Sequence, residues 1–198
     1  MGVLRGRGPG ETTSKRILVT TSRRTSPRVR SLVKDLAQTL PGAFKFTRGH
    51  YSMVELAREA LLVGADRLVV ISERRGNPGI IRVYDVDIKS GPNNIASFIV
   101  KGVSLARESR RGYPSLAGGE VLAARAMDSG VAAEFSDAFV LAFHARLYEA
   151  VAGSFVEARI SSINSRDVIV EFYYGGRPVG PKLKLGKPAV MIKAVGRD

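Results

Sequence analysis

Cysteine and tryptophan are absent from the 198 residues, and histidine occurs only at positions 50 and 144. Without cysteine there is no disulfide, no thiolate metal ligand and no thiol nucleophile, which favours an intracellular protein over a small secreted one. No apolar run approaches the length of a membrane helix, and MGVLRGRGPGETTSK lacks the apolar core of a signal peptide. Gly2 follows Met1, but Arg5 and Gly6 leave no Ser or Thr where myristoylation requires one. Acids are scarce at both ends. Residues 1–50 hold eleven Lys/Arg against Glu11 and Asp35, and residues 151–198 hold eight against four, whereas the middle hundred residues balance. The whole excess of the formal +13 charge therefore lies at the two ends. Folded onto one face, those ends would make the basic footprint of a nucleic-acid binder. An anionic membrane is the competing partner, but no basic amphipathic helix with aromatic anchors is present to meet it.

With 44% hydrophobic residues, the chain can bury one good core or two small ones. The stretch RILVTTSRRTSPRVRSLVKDLAQTLP, residues 16–41, organises the reading. Ile17 to Thr20 is a short apolar strand, followed by a Thr/Ser/Arg loop and a helix. Ser26 is a good N-cap and Pro27 suits the first helical position. Val29, Leu32, Val33, Leu36, Ala37 and Leu40 recur at the spacing of one buried helix face. The charge at the helix start breaks a local rule. Cations are disfavoured there, yet Arg23, Arg24, Arg28 and Arg30 crowd it, with no acid before Asp35. Either an external anion such as phosphate resolves the conflict, or the loop is a solvated basic one.

Further along, Ala43 to Thr47 suits a short strand and Arg48-Gly49-His50 a turn. Ser52 with Glu55 forms a capping box for a second helix faced by Met53, Leu56, Ala57, Ala60 and Leu61, closed by Gly64. LVVIS after Arg67 reads as a strand covered on both faces, and residues 73–79 as a tight turn into Ile80 to Val86. Arg74 and Arg75 near that tip either solvate the turn or make a second basic contact. The order strand, helix, strand, helix, strand predicts an α/β layer. Residues 90–94 read as the boundary between two halves, with a long strand from Ile95 to about Leu105. The loop carrying Arg107, Arg110, Arg111 and Tyr113 is a candidate mobile arm. A helix is expected over 134–150, with Phe135, Ala138, Phe139, Ala142, Phe143 and Leu147 on its buried stripe and His144 at the surface or satisfied. The tail is strand-rich: Val156, Ala158 and Ile160 alternate with polar residues, and Val168 to Tyr174 follow a turn. After Gly175-Gly176, Lys182, Lys184 and Lys187 alternate with leucines, as on an edge strand or a phosphate-facing one.

TTSRRTSPRVRSLVKDL, the Arg48-Gly49 pair and GADRLVVISERRGNPGIIRVYDV together resemble the Brix domain of ribosome-biogenesis proteins, nearest its small-subunit processome branch. The likeness continues through SGPNNIASFIVKGV and returns in INSRDVIVEFYYGGRPVGPKLKL, covering most of residues 15–187. Residues 107–153 depart from the family pattern. The resemblance implies an α/β fold of two similar halves, about 15–89 and 95–187. Each half would be a mixed sheet with packed helices, like the anticodon-binding domain of class II aminoacyl-tRNA synthetases. Residues 1–14 would be a flexible basic leader and 188–198 a C-terminal strand or tail. The resemblance also implies non-catalytic binding of ribosomal RNA precursors during subunit assembly, with other assembly proteins as candidate partners and no cofactor. The lack of long charged tails makes the chain similar to minimal archaeal members, which implies the cytoplasm; eukaryotic relatives are nucleolar.

On that reading Arg23, Arg24, Arg28 and Arg30 hold backbone phosphates, and Arg48, Arg74, Arg75 and Arg82 extend the track. Lys182, Lys184 and Lys187 supply its far end. Phosphate contacts carry no base information, so Tyr51, Tyr113, Tyr173 and Tyr174 are the candidate stacking groups. A tRNA-binding module is the first alternative, and a nucleotide-binding enzyme the second. Against the enzyme, TTSRRTSP has neither glycine nor a Walker lysine, and Asp35, Asp66, Asp85 and Asp87 are scattered. No catalytic or metal-binding residue is expected.

Overall fold

The expected opening unit forms as its caps dictate. In the computed structural model, which describes residues 16–190, strand β1 (Arg16–Thr21) leads into helix α1 (Pro27–Thr39). The leader expected at 1–14 and most of the expected tail lie outside the described residues. Ser26 is extended, and its hydroxyl accepts the Val29 N–H, with Pro27 in the first turn. Val29, Leu32, Val33, Leu36 and Leu40 are buried as the spacing predicts, and so are Asp35 and Thr39 beside them. Strand β2 (Ala43–Lys45) follows, then α2 (Met53–Leu62), held at its start by the complete Ser52–Glu55 capping box. Next come β3 (Ala65–Arg74), β4 (Asn77–Asp87) and β5 (Gly91–Ser104). Arg75 and Gly76, at φ 52° and 79°, make the two-residue turn whose twist suits a hairpin.

The same order then recurs. Strand β6 (Val121–Ala126), helix α3 (Val131–Phe143), β7 (Arg146–Leu147), β8 (Phe155–Ser162), β9 (Asp167–Tyr174) and β10 (Arg177–Gly186) repeat the first set, and β11 (Ala189–Val190) ends it. In the first set, β1 lies parallel between β2 and β3, with β4 and β5 antiparallel beyond. In the second, β6 lies parallel between β7 and β8, with β9 and β10 antiparallel beyond. One 11-stranded mixed sheet results, in the order β2-β1-β3-β4-β5-β10-β9-β8-β6-β7 with β11 pairing β5 off this path, because β5 pairs with β10. One member of the pattern is missing: a single 3-10 turn, Tyr148–Ala150, stands where α2 stood.

Both α1 and α3 cover one face. Their apolar stripes share a core with Ile17, Val69, Ile81, Phe98, Val156, Val170, Phe172 and Leu183, centred on Phe98, Phe135, Phe139, Phe143 and Phe172. Ring centroids there lie 4.5–6.4 Å apart. Helix α2 covers the other face of the first set only, over Leu18, Leu68, Val70 and Val86.

Four local expectations are corrected, and one strand goes unforeseen. Strand β5 starts at Gly91, ahead of the expected Ile95. The alanine-rich VLAARA, which carries no strand signal, is pulled into the sheet between β7 and β8. Helix α3 ends at Phe143 because His144 turns left-handed, at φ 53°, to let β7 pair with β6; Leu147 is exposed. Strand β10 is interior, between β5 and β9, so its lysines do not guard an edge. Finally, residues 105–113 are a strap rather than a free arm. Buried Asp35 accepts the Ala106 N–H at 2.8 Å and the Tyr113 hydroxyl at 2.7 Å. Arg111 pairs with Glu171 at 2.6 Å, and the Gly112 carbonyl accepts the Gly180 N–H at 2.8 Å. Burial and the bond to Asp35 push the Tyr113 hydroxyl up to about 12.

Three substitutions test this packing. Gly180 has φ +61°, and a Cβ there would meet Thr39 Oγ1 at 2.1 Å, so Gly180→Ala should lower the unfolding free energy by about 3 kcal/mol in urea. Gly64→Ala, at φ +73° but with open space around it, should cost only about 1 kcal/mol. Asp35→Ala should cost about 2–4 kcal/mol, since it orphans a buried N–H and a hydroxyl, and should open the 105–113 strap to limited proteolysis. Unaltered protease resistance would show that the strap is held by its other contacts.

Candidate nucleic-acid interface

The chain leaves β1 through α1 on one face to reach β2, then crosses through α2 on the other face to reach β3 on the opposite side of β1. β1 is thus a switch point, and the crevice beyond the carboxyl ends of such strands is where open α/β sheets bind ligands. A cleft of about 230 Å³ opens there, lined by Ser22, Arg23, Thr25, Arg30, Lys45 and Arg48 together with Thr21, Val33, Phe46, Thr47 and Gly49. Among the described residues, no carboxylate lines it. Backbone carbonyls aim two of the arginines: Arg30 Nη1 donates to the Thr25 carbonyl at 2.6 Å, and Arg48 Nε to that of Tyr51 at 3.2 Å. Burial, and then the proximity of Arg23, lowers the pKa of Arg48. Cations that crowd one another in this way are stabilised by an added anion.

Of the residues singled out by sequence, Arg23, Arg30 and Arg48 meet in this cleft, and Lys45 joins them unanticipated. Arg24 is exposed in the loop beside it. Arg28 points elsewhere, forming a bidentate pair with Glu108 at 2.5 and 2.9 Å and a bond to the Val103 carbonyl. Arg74 and Arg75 sit exposed at the β3–β4 tip. That tip is tied to α1, with the Ser26 hydroxyl donating to the Gly76 carbonyl and Glu73 accepting the Ser26 N–H. An acid distant in sequence therefore answers part of the helix start, and the vacant positive charge lies along the side of α1. Arg82 is half-buried on the α2 face of β4, between Val70 and Ser97. Lys182 pairs with Glu171 at 3.5 Å, Lys184 projects beside Gly102, and Lys187 pairs with Glu134 at 3.0 Å; none lines the cleft.

The second set offers an internal comparison. At its corresponding corner, Asp128 accepts from Ser162, and α3 carries Glu134 in its first turn, where α1 has no acid. The scattered carboxylates have structural tasks. Asp66 meets His144 Nε2 at 2.7 Å, Asp85 pairs with Arg67, and Asp87 accepts the Lys89 and Ser90 N–H groups.

No family model matches the chain. A probable Brix domain-containing ribosomal biogenesis protein of Aeropyrum pernix is 69% identical over 175 residues, 88% of this chain and 97% of that protein. The crystal structure of the probable ribosomal biogenesis protein from Aeropyrum pernix superimposes with a TM-score of 0.86 over 90% of this chain and 99% of that one. Mil, an archaeal Imp4-like protein, shares the fold at 23% identity, with a TM-score of 0.64 over 88% of this chain and 99% of its own. Identity at that level over nearly the whole length of the Aeropyrum protein shows that the chain belongs to the Brix-domain family.

Proposed function

We propose that this protein takes part in ribosome biogenesis as a non-catalytic binder of ribosomal RNA precursors, and that it grips the RNA backbone in the cleft at the end of β1. One observation carries the reading: Arg23, Arg30, Arg48 and Lys45 converge, with no carboxylate of the described residues among them, at the switch point of an open sheet. Guanidinium groups suit phosphate geometry, and an extended anion is what such a cluster holds best. The names of the relatives supply the context of ribosome assembly. Non-catalytic action is supported by the described carboxylates, which serve turns, straps and ion pairs and do not meet as a pair in a cleft.

Binding to a small-subunit ribosomal RNA precursor and to a tRNA pool, each across a salt series, tests this. Arg23→Glu with Arg48→Glu should weaken ribosomal RNA binding at least tenfold and flatten the salt dependence by about 0.7 to 0.9 per lost phosphate contact. Arg28→Ala should lower thermal stability and leave that slope unchanged, since Arg28 is engaged with Glu108. Preference for tRNA would replace the ribosomal reading with an anticodon-type one. Full affinity in the double variant would move the site away from β1.

A further inference from the structure

The face that α2 covers in the first set carries no helix in the second among the described residues, and its chemistry is different. Under α2 lie Leu18, Leu68, Val70 and Val86, an apolar bed that suits a helix. The corresponding side of β6, β8 and β9 presents Arg125, Glu157, Arg159, Glu171 and Tyr173, which alternate with the core residues Ala124, Ala158, Ile160, Val170 and Phe172. A protein helix seated there would leave charges unmatched. Planar, polar groups would not.

The side chains are already arranged in stacks. The Arg159 guanidinium carbon lies 3.8 Å from the centre of the Tyr173 ring, and that of Arg125 lies 4.4 Å from the centre of Tyr148. Tyr148 comes from the 3-10 turn that stands in place of α2. Glu157, only 6% exposed, fixes both cations: Oε1 is 3.3 Å from Arg125 Nη1, and Oε2 is 2.9 Å from Arg159 Nη2. Burying a carboxylate between two arginines costs desolvation that apolar side chains would avoid, so packing alone gives little reason for it. Tyr148, Glu157, Arg159 and Tyr173 border an open cleft of about 440 Å³, lined also by Phe155 and Tyr174 and running to the Gly175-Gly176 turn.

We propose that this cleft receives unstacked nucleobases of single-stranded RNA, stacked on the rings of Tyr148 and Tyr173 and on the guanidinium plane of Arg159, with Arg125 supporting the Tyr148 ring. Aromatic rings and arginine planes are the surfaces on which splayed bases stack, and every base offers them a face. The site rests on the RNA-binding reading of the β1 cleft and adds the base contact that phosphate-holding arginines lack. The absent second-set helix is thus what exposes a recognition surface.

The test uses the whole chain, a fluorescent ten-nucleotide single-stranded RNA, a duplex of the same sequence, and an abasic strand of the same length. The wild type should prefer the single strand to the abasic one. Tyr173→Ala should lower single-strand affinity on the order of tenfold, with an unchanged salt slope and unchanged duplex binding, while Tyr173→Phe should bind as wild type. Tyr148→Leu, on the turn, should repeat the loss without touching the sheet. If both tyrosine variants bind the single strand as wild type while Arg23→Glu weakens it, the base site is overturned and the phosphate cleft stands. If the wild type binds neither single strand nor duplex, both readings fall together.

Discussion

Strand β5 is the constraint on which everything else depends. Residues 91–99 of this 14-residue strand pair with β4, and residues 100–104 pair with β10, so one strand belongs to both repeats. On the β10 side, β11 continues the pairing at Ala96 and Ser97. Two sheets that would each have exposed an edge become one, and that edge problem disappears. The fusion also fixes the helices. With both sets in a single sheet, α1 reaches over to β10 and α3 over to β4 and β5, and the phenylalanines of α3 close on Phe98 of β5.

Once the sheet is shared, a repeated topology produces an unequal molecule. Each set has a switch strand, β1 or β6, flanked by parallel neighbours, and so each could build a crevice at that strand's carboxyl end. Only the first fills its crevice with arginines; the second places Asp128 and Glu134 at the same corner. The reverse holds on the opposite face. There the first set is sealed by α2, and the second lies open with its Arg–Tyr stacks. The strap from Leu105 to Tyr113 ties α1, β9 and β10 together through Asp35, Glu171 and Gly180.

Sequence reading recovers what local chemistry determines. Ser26-Pro27, the Ser52–Glu55 box, the Arg75-Gly76 turn and the apolar run after Arg67 each specify their element without help from distant residues. It loses what only the assembled sheet decides. VLAARA has no intrinsic strand preference and becomes β6 through its two parallel neighbours, which also stop α3 short at His144. The site divides in the same way. Arg23, Arg30 and Arg48 were legible because they violate the charge rule of a helix start or flank a turn. Arg28 carries the same signal, yet its partner Glu108 lies eighty residues on, in a loop with no pattern that would announce the contact. Lys45 and the buried Asp35 likewise acquire their roles only from the fold.

The account turns on whether RNA phosphates enter the β1 cleft, and the arginine side chains can report this directly. Titration of nitrogen-15 arginine-labelled protein with a short RNA, followed through the Nε–H resonances by nuclear magnetic resonance, separates the cleft from its surroundings. The resonances of Arg23, Arg30 and Arg48 should shift together and saturate at one RNA concentration, while those of Arg28 and Arg67, held by Glu108 and Asp85, stay in place. Shifts confined to Arg74, Arg75 and Arg82, with the three cleft arginines unmoved, would contradict the central claim and place the RNA on the hairpin instead.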